Sequence, residues 1–210
     1  MRLHLVRHGR PARVAGLPAS TWRLDADDPG IVRLGAAELL TGRARWCSSP
    51  EPKALDTARA MAGAEVPVAV VDDLAEMRRP ASQLGADEFA AAVRRAFDHP
   101  DEAALAGWET ATSTRARVRT AIERECAASL PGTDGGTGGG AAGDVVAIGH
   151  GTAWTLLVAD LTATPVDVDG WTRMVLPDLC VLDLDLDRSD GLPGRLRGHL
   201  VRGWGTVPGN

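Results

Sequence analysis

Short apolar runs alternate along this chain with stretches whose apolar residues return every three or four positions, a pattern that predicts strands interleaved with helices. The first run, Leu3 to Val6, stops at Arg7-His8-Gly9, as a buried strand does on reaching a loop. Residues 31–41 carry Ile31, Leu34 and Leu39 at helical spacing with Gly42 as a stop, and residues 43–49 read as a second short strand. A helix follows that Ser48 or Ser49 can cap, with Pro50 in its first turn and Ala54, Ala58, Met61 and Ala62 on one face. Residues 67–74 form a third strand candidate. Beyond it, about 77–110 mixes Arg78, Arg79 and Pro80 with a short helix at 87–97 and reads as a small inserted cap.

A long helix over 110–130 leads into seven glycines between Gly132 and Gly143, read as a flexible loop over 131–143. The run precedes a strand instead of joining a strand to a helix, so it lacks the order of a dinucleotide fingerprint. Residues 144–149 are that strand, with a helical pattern over 152–161 behind it. The chain closes with 180–187 and 195–203, paired antiparallel across Asp190-Gly191. Leu182, Leu184 and Leu186 then face inward while Asp183, Asp185 and Asp187 share a wetted face, without the glycine-turned loop of a calcium site. The whole predicts a doubly wound, mostly parallel sheet with helices on both faces.

Two of these strands end alike. HLVRHG and VVAIGHG each leave an apolar run through a histidine followed by glycine, and the exits of parallel strands lie on one edge, where open α/β sheets bind ligands. His8 and His150 are thus expected across one crevice, with each glycine letting the backbone approach a ligand. His4, His99 and His199 lack that context and read as ordinary surface or core residues. Arg7 adds a forked donor suited to phosphate or carboxylate. Lys53, the only lysine among 23 Lys and Arg residues, falls near a helix N-terminus, where free N–H groups and the dipole already favour an anion.

Composition narrows the classes. A length of 210 residues suits one domain, and a formal net charge of -5 gives none of the basic footprint of a nucleic-acid binder. Cys47, Cys126 and Cys180 are far apart, so neither a disulfide framework nor a zinc knuckle is expected. No stretch reads as a signal peptide or reaches the roughly 18 apolar residues of a membrane span, so the expected place is the cytoplasm, without membrane contact.

Taken together, LVRHG at 5–9, GIVRLG at 30–35, SSPEPKALDTA at 48–58 and IGHGT at 148–152 resemble, in order, the motifs of the histidine phosphatase superfamily, also called phosphoglycerate mutase-like. The resemblance implies a three-layer α/β/α sandwich with a mostly parallel central sheet and a small inserted cap. It implies His8 as a nucleophile forming a phosphohistidine, with Arg7, Lys53 and His150 holding the phosphoryl oxygens, and no metal or cofactor. Glu76 in DDLAEM stands where the family places its acid; Glu109 in GWETATSTR is the second choice. Val14 replaces an Asn, and Met77-Arg78-Arg79 replaces a Trp-Glu-Gly, found in several mutases and sugar-phosphate phosphatases, which points away from mutase activity. Lys53 stands in the family's arginine position, losing the bidentate fork. The expected activity is phosphomonoesterase, on a small phosphorylated metabolite before a phosphoprotein; the alternative is a phosphate-binding module with little chemistry. Arg10, Arg78 and Arg79 read as surface arginines, with a second role of meeting an anionic substrate beyond its phosphate.

Overall fold

In the computed structural model, which describes residues 1–36, 44–80, 84–130, 143–187 and 195–205, each predicted apolar run contributes to one six-stranded sheet. Strands β1 (Arg2–Arg7), β2 (Arg45–Ser48), β3 (Val68–Val70), β4 (Val145–Gly149), β5 (Asp178–Asp187) and β6 (Arg195–Arg202) lie in the order β3-β2-β4-β1-β5-β6. The first four run parallel; β5 is antiparallel to β1, and β6 to β5. The helices are α1 (Pro29–Ala36), α2 (Pro52–Ala62), α3 (Ala86–Asp98), α4 (Ala111–Ala128), α5 (Gly151–Thr162) and α6 (Val168–Arg173).

Alternation along each strand sorts its side chains into two cores. Leu3, Leu5, Val145 and Ala147 pack against Val118 and Ile122 of α4 and Trp154 and Leu157 of α5. Val6, Val146 and Ile148 point the other way, onto Leu34 of α1 and Ala54 and Ala58 of α2. With both faces covered, β4 is buried along its whole length, as central strands of such sheets are. The result is the three-layer α/β/α architecture. A third cluster joins Ala92, Val93, Ala96 and Phe97 of α3 to Met77, Trp108 and Leu156.

Several boundaries differ from the sequence reading. Helix α2 begins at Pro52 rather than beside Ser49 and Pro50, because Ser49 N–H still donates to Ile148 O at 2.9 Å and a residue before proline avoids the helical region. Glu51 therefore caps in an extended conformation, with Pro52 at the first helical position. Strand β3 stops at Val70, and the end of the expected strand folds into a tight turn over Asp72–Leu74 that buries Leu74 in the core. Helix α6, capped by Asp167 accepting from Gly170 N–H at 2.7 Å, is too short for periodicity to reveal. Gly42, the Asp190-Gly191 turn and residues 131–142 of the glycine-rich loop lie outside the described residues. Asp183 and Asp185 are exposed while Leu182 and Leu184 are buried, as alternation requires. Among the described residues no helix is long and apolar enough to cross a membrane.

Candidate active site

Strands β1 and β4 are neighbours with Arg7 opposite Gly149, so His8 and His150 leave the sheet side by side. His8 N–H continues the ladder onto Gly149 O at 3.0 Å, and the two imidazole rings meet edge to face at 5.2 Å. Strand β2 flanks β4 on its other side, which starts α2 next to His150 and puts Lys53 in its first turn. Lys53, its side chain only 7% exposed, donates through Nζ to Ala19 O at 2.8 Å and pairs with the Glu51 carboxylate. The turn after β3 brings Glu76 to the N-terminus of α5, where its carboxylate accepts from Ala153 N–H at 3.0 Å, Thr152 N–H at 3.3 Å and its neighbour Met77 N–H at 2.9 Å. Arg7 donates through Nη1 to Met174 O at 3.0 Å, while its buried Nε meets no acceptor among the described residues. All five side chains converge on the carboxyl edge of the sheet.

Burial decides the protonation of the histidines. His8 is pushed well below the usual imidazole range by burial first, then by the charges of His150 and Lys53, with Arg7 adding a little and the hydrogen bond to Gly9 O opposing. His150 is brought down to about 3 by burial; Glu76 opposes this, and Lys53, Arg79 and Arg7 push further down. Both rings are neutral at pH 7. His8 Nδ1 lies 2.7 Å from Gly9 O, and a carbonyl can only accept, so Nδ1 carries the proton and Nε2 keeps its lone pair. The site thus offers a neutral nitrogen nucleophile among cationic donors.

A family model for the histidine phosphatase superfamily, branch 1, matches residues 3–192. The chain belongs to that superfamily. Its fold is shared by the structure of mycobacterial hydrolase 1, at 22% identity and a TM-score of 0.70 over 98% of this chain and 99% of that one. The mycobacterial glucosyl-3-phosphoglycerate phosphatase in complex with VO3 superposes at 22% identity and a TM-score of 0.70, covering 96% and 97%. The alpha-ribazole phosphatase of Shigella flexneri does so at 19% identity and 0.64, covering 99% and 97%. No curated protein matches the chain at the level of sequence.

Within this superfamily fold, the two acids named from the sequence part company. Burial raises the Glu109 carboxyl, but hydrogen bonds from Arg117 and Arg78 N–H and the Arg117 charge outweigh it and bring it to about 2. Held ionised against Arg117 at 2.8 and 2.7 Å, Glu109 has no proton to give. Arg117 in turn donates to the carbonyls of Asp73, Ala75 and Glu76 at 2.7 to 2.9 Å, so the Glu109–Arg117 pair fixes the turn that carries Glu76. His4 is buried 3.8 Å from Asp144, His99 ends α3, and His199 is exposed 3.4 Å from Asp185; none joins the cluster. Arg10 pairs with Asp25 at 2.9 Å, and Arg78 lies 3.8 Å from Asp73.

Packing also constrains the glycines after the histidines. A Cβ at Gly9 would lie 2.6 Å from Leu24 Cδ1 and 2.7 Å from Asp28 Oδ2; one at Gly151 would sit 3.2 Å from Met174 Sδ and 3.4 Å from Arg7 Nε. Three residues escaped the sequence reading. Thr57 accepts from Gly9 N–H at 2.9 Å and donates to Lys53 O at 2.7 Å, clamping the His8 loop to α2. Ser49 Oγ lies 2.8 Å from His150 Nε2. Glu51 pairs with Lys53, accepts from Glu76 N–H at 3.1 Å and reaches within 3.4 Å of His150 Nε2. Positions i and i+2 do not face each other on a helix, so an acid two residues before the lysine gives no signal until Glu51 is known to be extended. Among the described residues no group of His, Cys, Asp and Glu is arranged to hold a metal ion. The cysteines are free and buried, with the Cys126 and Cys180 thiols pushed up to about 12 by burial and neighbouring carboxylates.

Proposed function

We propose that this member of the histidine phosphatase superfamily is a phosphomonoesterase working through a phosphohistidine on His8, without a metal. The observation that supports this reading is the His8 Nε2 lone pair set between Arg7, Lys53 and His150, with Arg7 Nε a buried donor that lacks an acceptor. A buried donor left unpaired costs about 1–3 kcal/mol, which a bound phosphoryl oxygen relieves. Nε2 attacks phosphorus, the bond to the ester oxygen breaks, and Glu76 gives that oxygen its proton. Nδ1–H, held by Gly9 O, steadies the positive charge that the ring acquires. Water then attacks the phosphohistidine, Glu76 takes a proton from it, the P–N bond breaks and phosphate leaves.

The substrate class we infer is a small phosphorylated metabolite, in keeping with what the glucosyl-3-phosphoglycerate and alpha-ribazole phosphatases are named for, with residues 77–110 as the cap that chooses it within a single domain of cytoplasmic enzyme. Hydrolysis of 4-nitrophenyl phosphate tests the reading: His8→Ala is expected to lower kcat by at least about a thousandfold. Undiminished turnover in that variant, or a wild type that neither hydrolyses esters nor forms an acid-labile phosphoprotein, would refute it. One observation favours a second reading, a phosphate-binding module without useful chemistry: the Glu51 carboxylate already engages Lys53. Tight vanadate binding with no turnover across a broad ester panel would select it.

A further inference from the structure

Arg79 is held in an unusual way for an arginine of this chain. Three residues after Glu76, its guanidinium carbon lies 4.8 Å from the centroid of Phe89 on α3 and 5.5 Å from that of Trp108, two rings 6.1 Å apart and tilted by 42°. Stacking of this kind engages the face of the guanidinium and leaves the N–H groups around its edge available. Among the described residues none of them meets an acceptor. Arg10, Arg45, Arg95, Arg117 and Arg119, by contrast, each grip a carboxylate. Arg79 is half-buried, and the rings that hold it pack with Met77 and with Leu156 of α5, one turn beyond the amides that hold Glu76, which sets it beside the cluster; its charge also bears on His150. The two acids at that cluster are engaged elsewhere, Glu51 by Lys53 and Glu76 by the amides of α5. A guanidinium fixed by two rings, partly stripped of water and with its fork unspent, is organised in advance for a planar or tetrahedral oxyanion.

We propose that Arg79 forms a second anion site beside the phosphate pocket, selecting phosphate esters that carry another oxyanion, a carboxylate or a second phosphate, a few bonds from the scissile group. The inference deepens the phosphatase reading and rests on its pocket, though not on turnover. It makes the cap a charge filter: an ester with a neutral leaving group uses only the inner cluster, and an anionic one gains the Arg79 fork. Charge-assisted hydrogen bonds of that kind correspond to about a ten- to hundredfold preference.

Non-hydrolysable probes test this without catalysis. Calorimetry on the full chain compares 4-carboxybenzylphosphonate with 4-carbamoylbenzylphosphonate, which share a shape and differ by one charge, and 1,4-xylylene bisphosphonate with 4-(hydroxymethyl)benzylphosphonate. The anionic member of at least one pair is expected to bind about ten- to a hundredfold tighter, and the pair that shows it tells carboxylate from phosphate. Arg79→Gln is expected to bring that ratio to about one, with Arg79→Lys in between because a point charge loses the fork. A ratio near one in the wild type, or one unmoved in Arg79→Gln, would overturn the proposal while leaving the phosphatase reading intact. Failure of every phosphonate to bind would overturn the pocket and this inference together, whereas binding with preference but no ester turnover would refute only the enzyme.

Discussion

Glu51→Gln removes one negative charge from the proposed phosphate pocket and keeps its shape. The carboxylate is 12% exposed, pairs with a Lys53 that is 7% exposed, and stands 3.4 Å from His150 Nε2. A phosphoryl group held by Lys53 and His150 comes within about 5 Å of it, and two unit charges at that separation repel by about 3 kcal/mol at an effective dielectric constant near 20. Glutamine abolishes that repulsion, but Glu76 N–H and Lys53 use different carboxylate oxygens, so its single amide oxygen can accept from only one of them. Phosphate should therefore bind about a hundredfold more tightly to the variant. The free protein moves the other way. Removing one partner of a buried ion pair costs about 3–5 kcal/mol, and the amide oxygen recovers part of it, so the unliganded variant should melt about 6–12 °C lower. Saturating phosphate should then return most of that loss, because a ligand that binds only the folded state stabilises it in proportion to the logarithm of its excess over Kd. Thermal melts with and without orthophosphate, together with its inhibition constant against an aryl phosphate, read both halves. An unliganded Tm equal to wild type with unaltered phosphate affinity would refute the reasoning, as would weaker binding in the variant.

Other perturbations reach the supports of the site. Because burial brings His150 to about 3 and also lowers His8, the unfolded chain takes up protons at these positions that the folded chain refuses; stability should fall as pH drops below about 6.5, by about 1 kcal/mol per pH unit for His150 alone, and urea denaturation that is flat from pH 7.5 to 4 would contradict this. Arg117→Met frees Glu109 and the three carbonyls of the Glu76 turn, and should destabilise by about 2–4 kcal/mol while lowering kcat on alkyl phosphates more than on nitrophenyl phosphate, a split that leaving-group kinetics would reveal. Gly149→Ala places a Cβ 2.5 Å from Trp154 Cζ2 at the base of the site; a loss of about 1–3 kcal/mol in chemical denaturation and a changed Trp emission are expected, and neutrality would mean the indole can shift freely.

The sheet was legible where an apolar run stops at a charge or a glycine, as at β1 and β4, and those two ends, Arg7-His8-Gly9 and His150-Gly151, repeat one pattern. Parallel neighbours β1 and β4 then bring the histidines together by register, without any further code. Side chains that act at short range across unlike elements were less visible. Glu109 and Arg117 lie two helical turns apart by way of a cap residue, and only their closed fork tells a structural carboxylate from an acid. Glu51 is hidden for a related reason: it owes its reach to the proline that ends its own helical option. Packing supplied what pattern could not. A Cβ at Gly9 would run into Leu24 and Asp28, a demand for glycine that comes from residues remote in sequence.

The lone lysine follows from the same short-range chemistry. An ammonium has three donors; at Lys53 one goes to Ala19 O and another to Glu51, which leaves one directed charge for an incoming oxygen. A guanidinium with five donors in a rigid plane would have to satisfy the same two acceptors in one fixed geometry, beside Arg7, which already supplies a fork. With both imidazoles neutral, the Glu51 carboxylate balances Lys53 at the cluster, and Arg7 stands beside that pair. Anion binding must break that balance, and Glu51 is the member free of catalytic duty in the proposed mechanism. The strength of phosphate binding is then set less by how many cations surround the ligand than by how readily one carboxylate lets go of its lysine.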